Sequence, residues 1–208
     1  MQIYSTVSPI LIPLLVCFFL GSIPFAVLSM LGTGIDIRRV GSGNPGFNNV
    51  LRVSKPRAVL ALIGDMGKGF LAIGLFYKAG DPVALGWLYG FAAILGHCYS
   101  PFLKFNGGKG IATSGGVMLW LYPFWAGISL LVFVIVRLAG SRLKWKEAGA
   151  IASVGSWVFF VVVMAIRLQL SDATYAALMT FFLAWRHKKN FQNMLAPGDG
   201  APKTVASS

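Results

Sequence analysis

Long apolar runs alternate with loops that collect the chain's cations, and this alternation constrains the fold more than any other feature. The runs fall at 9–31, 57–79, 83–104, 111–122, 124–139, 148–166 and 172–186. A helix needs roughly 20 apolar residues to cross a hydrocarbon core of about 30 Å, so the 111–122 run is short. Fifteen of the 18 Lys and Arg residues lie in four groups: Arg38 to Arg57, Lys104 with Lys109, Arg137 to Lys146, and Arg186 to Lys203. Basic loops stay in the cytoplasm, which puts all four groups on one side. An even number of crossings must then separate Lys109 from Arg137, and the break at Tyr122-Pro123 supplies the turn. The expected fold is all-α: a polytopic integral membrane protein with seven transmembrane helices, the fourth short, the N-terminus outside and the C-terminus cytoplasmic. Residues 1–195 are expected to form a single transmembrane domain, and 196–208 a disordered tail.

Composition agrees. The chain is 56% hydrophobic and 12% charged, with a mean hydropathy of +0.72, which excludes an ordinary soluble domain. A net charge of +12 would suit nucleic acid in a soluble protein. Between apolar spans it suits anionic lipid headgroups instead. The first basic residue is Arg38, so no charged segment precedes the run from Pro9, and that run is expected to stay as the first span. Cys17 and Cys98 both fall inside apolar runs and are expected to pack, with neither a disulfide nor a metal site.

Four polar clusters interrupt this pattern. Gly41-Ser42-Gly43-Asn44-Pro45-Gly46-Phe47-Asn48-Asn49-Val50-Leu51-Arg52 is a turn-rich segment with many hydrogen-bonding groups, and the forked donors of Arg52 match a phosphate. Its plainer reading is a linker lying on lipid headgroups. Asp65-Met66-Gly67-Lys68-Gly69 places two charges about 12 and 16 Å into the second span at 1.5 Å per residue. At i,i+3 they neutralise one another, which is a structural answer. Intramembrane charges also mark function, so Asp65 is read as a partner and Lys68 as reaching back towards an anion. Third, His97 lies about two turns before Gly107-Gly108-Lys109-Gly110, a loop of exposed amides and one cation that opens an apolar helix. This is not a Walker loop: the spacing differs and no strand precedes it. Arg186-His187-Lys188-Lys189-Asn190 closes the last run, where a plain cytoplasmic anchor would need neither His187 nor Asn190.

Only six acidic residues are present, with no paired carboxylates, no carboxylate–histidine metal set and no nucleophile triad. Such a chain grips anions better than it supplies a nucleophile, which suits a substrate that arrives activated. A small transporter using Asp65, Lys68 and the histidines is the competing reading, and a lipid-binding scaffold a third. No internal repeat favours transport, and the scaffold leaves the Gly, Asn and His clusters without a purpose.

In order and spacing, the four clusters resemble the bacterial inner-membrane acyl-phosphate:glycerol-3-phosphate acyltransferase family. The resemblance rests on Gly41 to Arg52, Asp65 to Gly69, Gly96 to Thr113 with Ser100 as an apparent insertion, and Arg186 to Asn190, and extends to about Gly198. It implies acyl transfer from an acyl phosphate to the 1-hydroxyl of glycerol 3-phosphate, giving lysophosphatidic acid for phospholipid synthesis. It implies no cofactor and no metal, a monomer in the inner membrane with its site facing the cytoplasm, and supply from a soluble acyl-phosphate synthase. Carried over residue by residue, His97, Lys109 and Ser42 are expected to be catalytic. Asn44, Asn49, Arg52, Lys68, Gly107, Gly108, Gly110, His187 and Asn190 are expected to bind substrate. Ser42, Asn44 and the 107–110 loop would hold one phosphate; Arg52, Lys109, His187 and Asn190 would hold the other. The chain departs from the family pattern at Phe47-Asn48, Asn106, Asn193 and Gly200, and most of all at Lys144 to Ala150. There two serines are absent and Glu147 is present, which points to a changed acceptor or donor, or to a paralogue of low activity.

Overall fold

The computed structural model describes residues 2–167 and 169–196, so the expected disordered tail, apart from Ala196, lies outside the described residues. The order is α1 (Gln2–Ser22), α2 (Phe25–Leu28), α3 (Phe47–Val53), α4 (Lys55–Gly74), α5 (Val83–Cys98), a 3₁₀ turn (Pro101–Leu103), α6 (Ile111–Leu121), α7 (Pro123–Arg142), α8 (Ala148–Ile166), α9 (Leu170–Arg186) and α10 (Lys188–Leu195). Each expected apolar run is helical, and the described residues contain no strand. Among the described residues, four helical segments are long and apolar enough to cross a membrane: Pro9–Leu28, Val83–Leu103, Pro123–Arg142 and Ala148–Ile166. Ile111–Leu121 is a shorter apolar helix. The charges of Lys55, Arg57, Asp65 and Lys68 set α4 apart from that group, and α9 is 17 residues long.

The first run departs from a single continuous helix. Pro24 has no N–H to donate and ends α1, so the chain restarts as α2. Carbonyls freed around this break are satisfied by side chains from elsewhere. Ser100 Oγ donates to the Ser22 carbonyl at 2.6 Å, and Lys68 Nζ to that of Ile23 at 2.8 Å. The Arg57 guanidinium donates to the carbonyls of Ser29 and Leu31 beyond α2. Ser100, which looks like an insertion in the motif, therefore ties the end of α5 to the end of α1.

Lipid tails are as apolar as leucine, so helices inside a bilayer associate through close backbone approach rather than by escaping water. Glycines provide that approach here. A Cβ on Gly21 would lie 2.0 Å from the Ala93 carbonyl oxygen, and one on Gly96 the same distance from that of Phe18, so α1 and α5 touch along their backbones. At the α4–α6 crossing, a Cβ on Gly116 would lie 1.9 Å from the Met66 oxygen, and one on Gly69 2.1 Å from that of Thr113.

Trp87 anchors the main core, where α5 meets α6, α8 and α9. Its ring centroid lies 6.0 to 6.5 Å from those of Tyr122, Trp157, Phe160 and Tyr175. Its indole N–H points to Tyr122 Oη and Asp172 Oδ1, which satisfies a polar atom in an apolar setting. Trp157 donates to Ser114 Oγ at 3.1 Å, linking α8 to α6. A second cluster, built on Ala26, Met30, Ile37, Val50, Ala58 and Ala61, seats α2 and α3 against α4. Cys17 and Cys98 are both buried and free, as packing residues would be.

Candidate active site

Where α3, α6, α9 and α10 converge, a cavity of about 1420 Å³ opens. One end is polar and cationic, lined by Ser42, Asn44, Arg52, Lys109, Glu147, His187 and Asn190. From there it continues as an apolar arm between α6, α7 and α8, along Met118, Leu119, Ala126, Leu130, Phe133, Val134 and Trp157. A cationic head joined to a hydrocarbon-lined arm matches a molecule with a phosphate at one end and an acyl chain at the other.

The 41–52 segment is held by Asn49, which is 1% exposed. Its amide donates to the carbonyls of Ile37 and Val40 at 2.9 and 3.0 Å, and its oxygen accepts the Ser42 N–H at 3.0 Å. Both donors are thereby committed, so Asn49 shapes the loop rather than offering an N–H to a ligand. Gly41, with φ +57°, makes this possible, since a Cβ there would lie 2.4 Å from Asn49 Oδ1. Arg52, one helical turn further along α3, is exposed to the cavity and has no hydrogen bond or ion pair among the described residues.

The glycine loop behaves differently from the expectation of free amides at 107 and 108. The Gly107 N–H donates to the Cys98 carbonyl at 3.1 Å, and that of Gly108 to the His97 carbonyl at 3.2 Å. Arg186 Nη2 donates to the Gly108 carbonyl at 2.8 Å, and its guanidinium lies 4.9 Å from the Tyr99 ring centroid. Gly108 therefore does not line the cavity; it makes room for His97, because a Cβ there would sit 2.2 Å from His97 Nε2. The amides without a partner lie one step further along. Gly110, with φ +88°, starts α6, whose first intrahelical bond runs from Ser114 N–H to the Gly110 carbonyl at 2.8 Å. The first-turn amides of Ile111 and Ala112, both lining the cavity, have no intrahelical acceptor there.

Lys68 also lies elsewhere than expected. Its side chain is 1% exposed and absent from the cavity wall, with Nζ 2.7 Å from Asp65 Oδ1 and bonded to the Ile23 carbonyl. The break at Pro24 explains this, since it leaves a carbonyl in the helix bundle that a cation satisfies. Asp65 is the member of the pair that reaches the cavity, and its Oδ1 lies 3.5 Å from His97 Nδ1. Read from the sequence, Asp65 is only a charge partner for Lys68. That it also faces His97 depends on the α4–α5 packing, which no local pattern reveals.

Lys109, Asn190 and Glu147 form a chain. Lys109 Nζ donates to Asn190 Oδ1, Asn190 Nδ2 donates to Glu147 Oε2 at 2.6 Å, and Asn193 Nδ2 donates to Glu147 Oε1 at 3.2 Å. Two of the departures from the family pattern, Glu147 and Asn193, therefore touch. Burial holds the Lys109 ammonium below its ordinary pKa; nearby Arg186 adds to this and Glu147 opposes it. His187 is 4% exposed, and burial lowers its pKa to about 4, with Lys109 and Arg186 adding to the effect. Its Nδ1 lies 2.8 Å from the Leu183 carbonyl, which can only accept, so Nδ1 carries the proton and Nε2 is an acceptor at neutral pH.

The family model for glycerol-3-phosphate acyltransferase matches residues 11–197. The chain belongs to the glycerol-3-phosphate acyltransferase family. Curated members include the glycerol-3-phosphate acyltransferase of Geobacillus kaustophilus, 40% identical over 184 residues, covering 88% of this chain and 90% of that protein. That of Aromatoleum aromaticum is 38% identical over 201 residues, covering 95% and 98%. Among solved structures, the chain resembles crystal structures of PlsY (YgiH), an integral membrane glycerol 3-phosphate acyltransferase. The glycerol 3-phosphate form matches with a TM-score of 0.78 at 31% identity, and the lysophosphatidic acid form with 0.77 at 30%. Each match covers 89% of this chain and 91% of the other. PlsY is an integral membrane protein, and this member of the family has, among its described residues, four helical segments long and apolar enough to cross a membrane.

Proposed function

We propose that this chain transfers the acyl group of an acyl phosphate to the 1-hydroxyl of glycerol 3-phosphate, forming lysophosphatidic acid. The observation that carries the reading is the single cavity of about 1420 Å³ with a cationic head and an apolar arm. The acyl chain occupies the arm between α6 and α7. Its phosphoryl group meets the first-turn amides of α6 with Ser42 and Asn44, and the acceptor phosphate meets Arg52, Lys109 and Asn190; His187, neutral and with Nε2 as an acceptor, faces a hydroxyl of the same substrate rather than its phosphate. The glycerol hydroxyl oxygen bonds to the acyl carbon, the bond from that carbon to the phosphate oxygen breaks, and inorganic phosphate leaves. The proton from the hydroxyl ends on the departing phosphate. An acyl phosphate is a mixed anhydride, so the protein's work is positioning and charge stabilisation, with buried His97 steadying the loop beside the reacting carbonyl.

In the same reading, residues 1–195 form one transmembrane domain of seven crossings, with the N-terminus outside and the head of the cavity facing the cytoplasm. The four basic groups and the α6–α7 turn at Tyr122-Pro123 support that orientation. The test uses purified protein, an acyl phosphate and labelled glycerol 3-phosphate, with acyl-CoA as the control donor. Labelled lysophosphatidic acid from the acyl phosphate alone supports the proposal. Flux of label across liposomes without product supports a transporter instead.

A further inference from the structure

An acidic side chain in a site built for phosphates requires a reason. Glu147 is half-buried in the cationic head of the cavity, and each carboxylate oxygen accepts one amide, from Asn190 and from Asn193. It makes no ion pair with a Lys or Arg among the described residues, although Lys109, Arg137, Lys144 and Arg186 line the same cavity.

Two features of the backbone show that this placement is imposed. Glu147 has φ +58°, the left-handed region that a side chain with a Cβ occupies at a cost, as does Lys144 in the same turn with φ +55°. Glu147 is also the N-cap of α8, where an acidic side chain ordinarily accepts N–H bonds from the helix's first turn. It makes no such bond; only its backbone carbonyl starts the helix, accepting from Ala150 and Ile151. The carboxylate instead crosses to α10.

The consequence falls on Asn190. Its oxygen is held by Lys109 and one of its two N–H groups by Glu147, so a single N–H remains for a ligand. The carboxylate fills the role of an anion in the cationic head, and an arriving phosphate must displace it or bind beside it. We propose that Glu147 is a resident competitor for the acceptor phosphate and sets the affinity for glycerol 3-phosphate. This inference rests on the acyltransferase reading for its substrate, though not for its geometry.

The experiment compares wild type with E147Q, which keeps an acceptor oxygen and the length of the side chain, and with E147S. Initial rates are measured against glycerol 3-phosphate at saturating acyl phosphate. In E147Q the KM for glycerol 3-phosphate falls by roughly three- to tenfold, the size expected for removing one like charge near a bound anion. The change is carried by KM rather than kcat, and E147S moves in the same direction. Glycerol, which lacks the phosphate, shows no such gain. A KM that rises or stays level in E147Q overturns the proposal, and so does an equal gain for glycerol. Thermal protection by added glycerol 3-phosphate decides the point without turnover. Stronger protection of E147Q than of wild type supports competition, and equal or weaker protection refutes it. A wild type that binds but forms no lysophosphatidic acid defeats the acyltransferase reading alone.

Discussion

The Arg186 guanidinium donates to the Gly108 carbonyl at 2.8 Å and lies against the ring of Tyr99. This joins α9 to the loop that carries Lys109 and sets up α6. In the sequence Arg186 is part of a motif without a role of its own; in the structure it clamps the loop. Replacing it with alanine frees the Gly107–Gly108 carbonyls, and the amides beyond them lose their fixed position. R186A should lower kcat by about a hundredfold, the penalty typical of misplacing a reacting group by an ångström. R186K should recover little, because an ammonium lacks both the fork and the planar face. Steady-state rates of lysophosphatidic acid formation check this.

Gly108 is required for its lack of a side chain. Its alanine variant would bring a methyl group within 2.2 Å of His97 Nε2, and the ring must move. G108A should fold with a loss of about 1–3 kcal/mol and should lose most of its activity. Thermal unfolding in detergent, paired with a rate measurement, separates the two effects.

Much of this architecture is legible in the residues, and what is not has a physical reason. Apolar runs of roughly 20 residues are set by membrane thickness, so every expected run is helical. The break at Ile23-Pro24 is harder to foresee, because prolines also occur inside α1, at Pro9 and Pro13. What makes Pro24 a break is that Ser100 and Lys68, from other helices, take the freed carbonyls. Ser42, Asn44, Arg52, Lys109, His187 and Asn190 all meet in one cavity, as their residue types suggest. Lys68 and Gly108 hold structure together at close quarters instead, and Asn49, although it lines the cavity, commits its amide to the loop, a distinction set by tertiary partners.

Lys68 supplies a test of that distinction. As the buried partner of Asp65 it should matter for stability, because removing one charge strands the other. K68A should cost about 3–5 kcal/mol, and the D65A/K68A pair should cost less than K68A alone. A K68A protein that unfolds like wild type but binds glycerol 3-phosphate poorly would return Lys68 to the substrate site.

His187 should make stability depend on pH. Its folded pKa of about 4 lies below the ordinary 6.5, so the unfolded chain binds the proton more readily. Its neutral buried form contributes fully above pH 6.5, and the contribution is lost as pH falls from 6.5 towards 4. Thermal midpoints between pH 7 and 4.5 should therefore drop more steeply for wild type than for H187Q. Parallel slopes would mean that His187 takes up its proton at little cost.

The central claim is that one continuous cavity takes a phosphate at its head and an acyl chain along its arm. Gly127 lines the cavity on α7, and a Cβ there meets nothing within 4 Å, so G127W adds bulk at the arm without a backbone clash and leaves the residues of the head unchanged. The decisive measurement is the kcat/KM of G127W across acyl phosphates of increasing chain length. Long-chain donors should lose at least about tenfold relative to short-chain donors, with the KM for glycerol 3-phosphate unchanged. An unaltered chain-length profile would contradict the account.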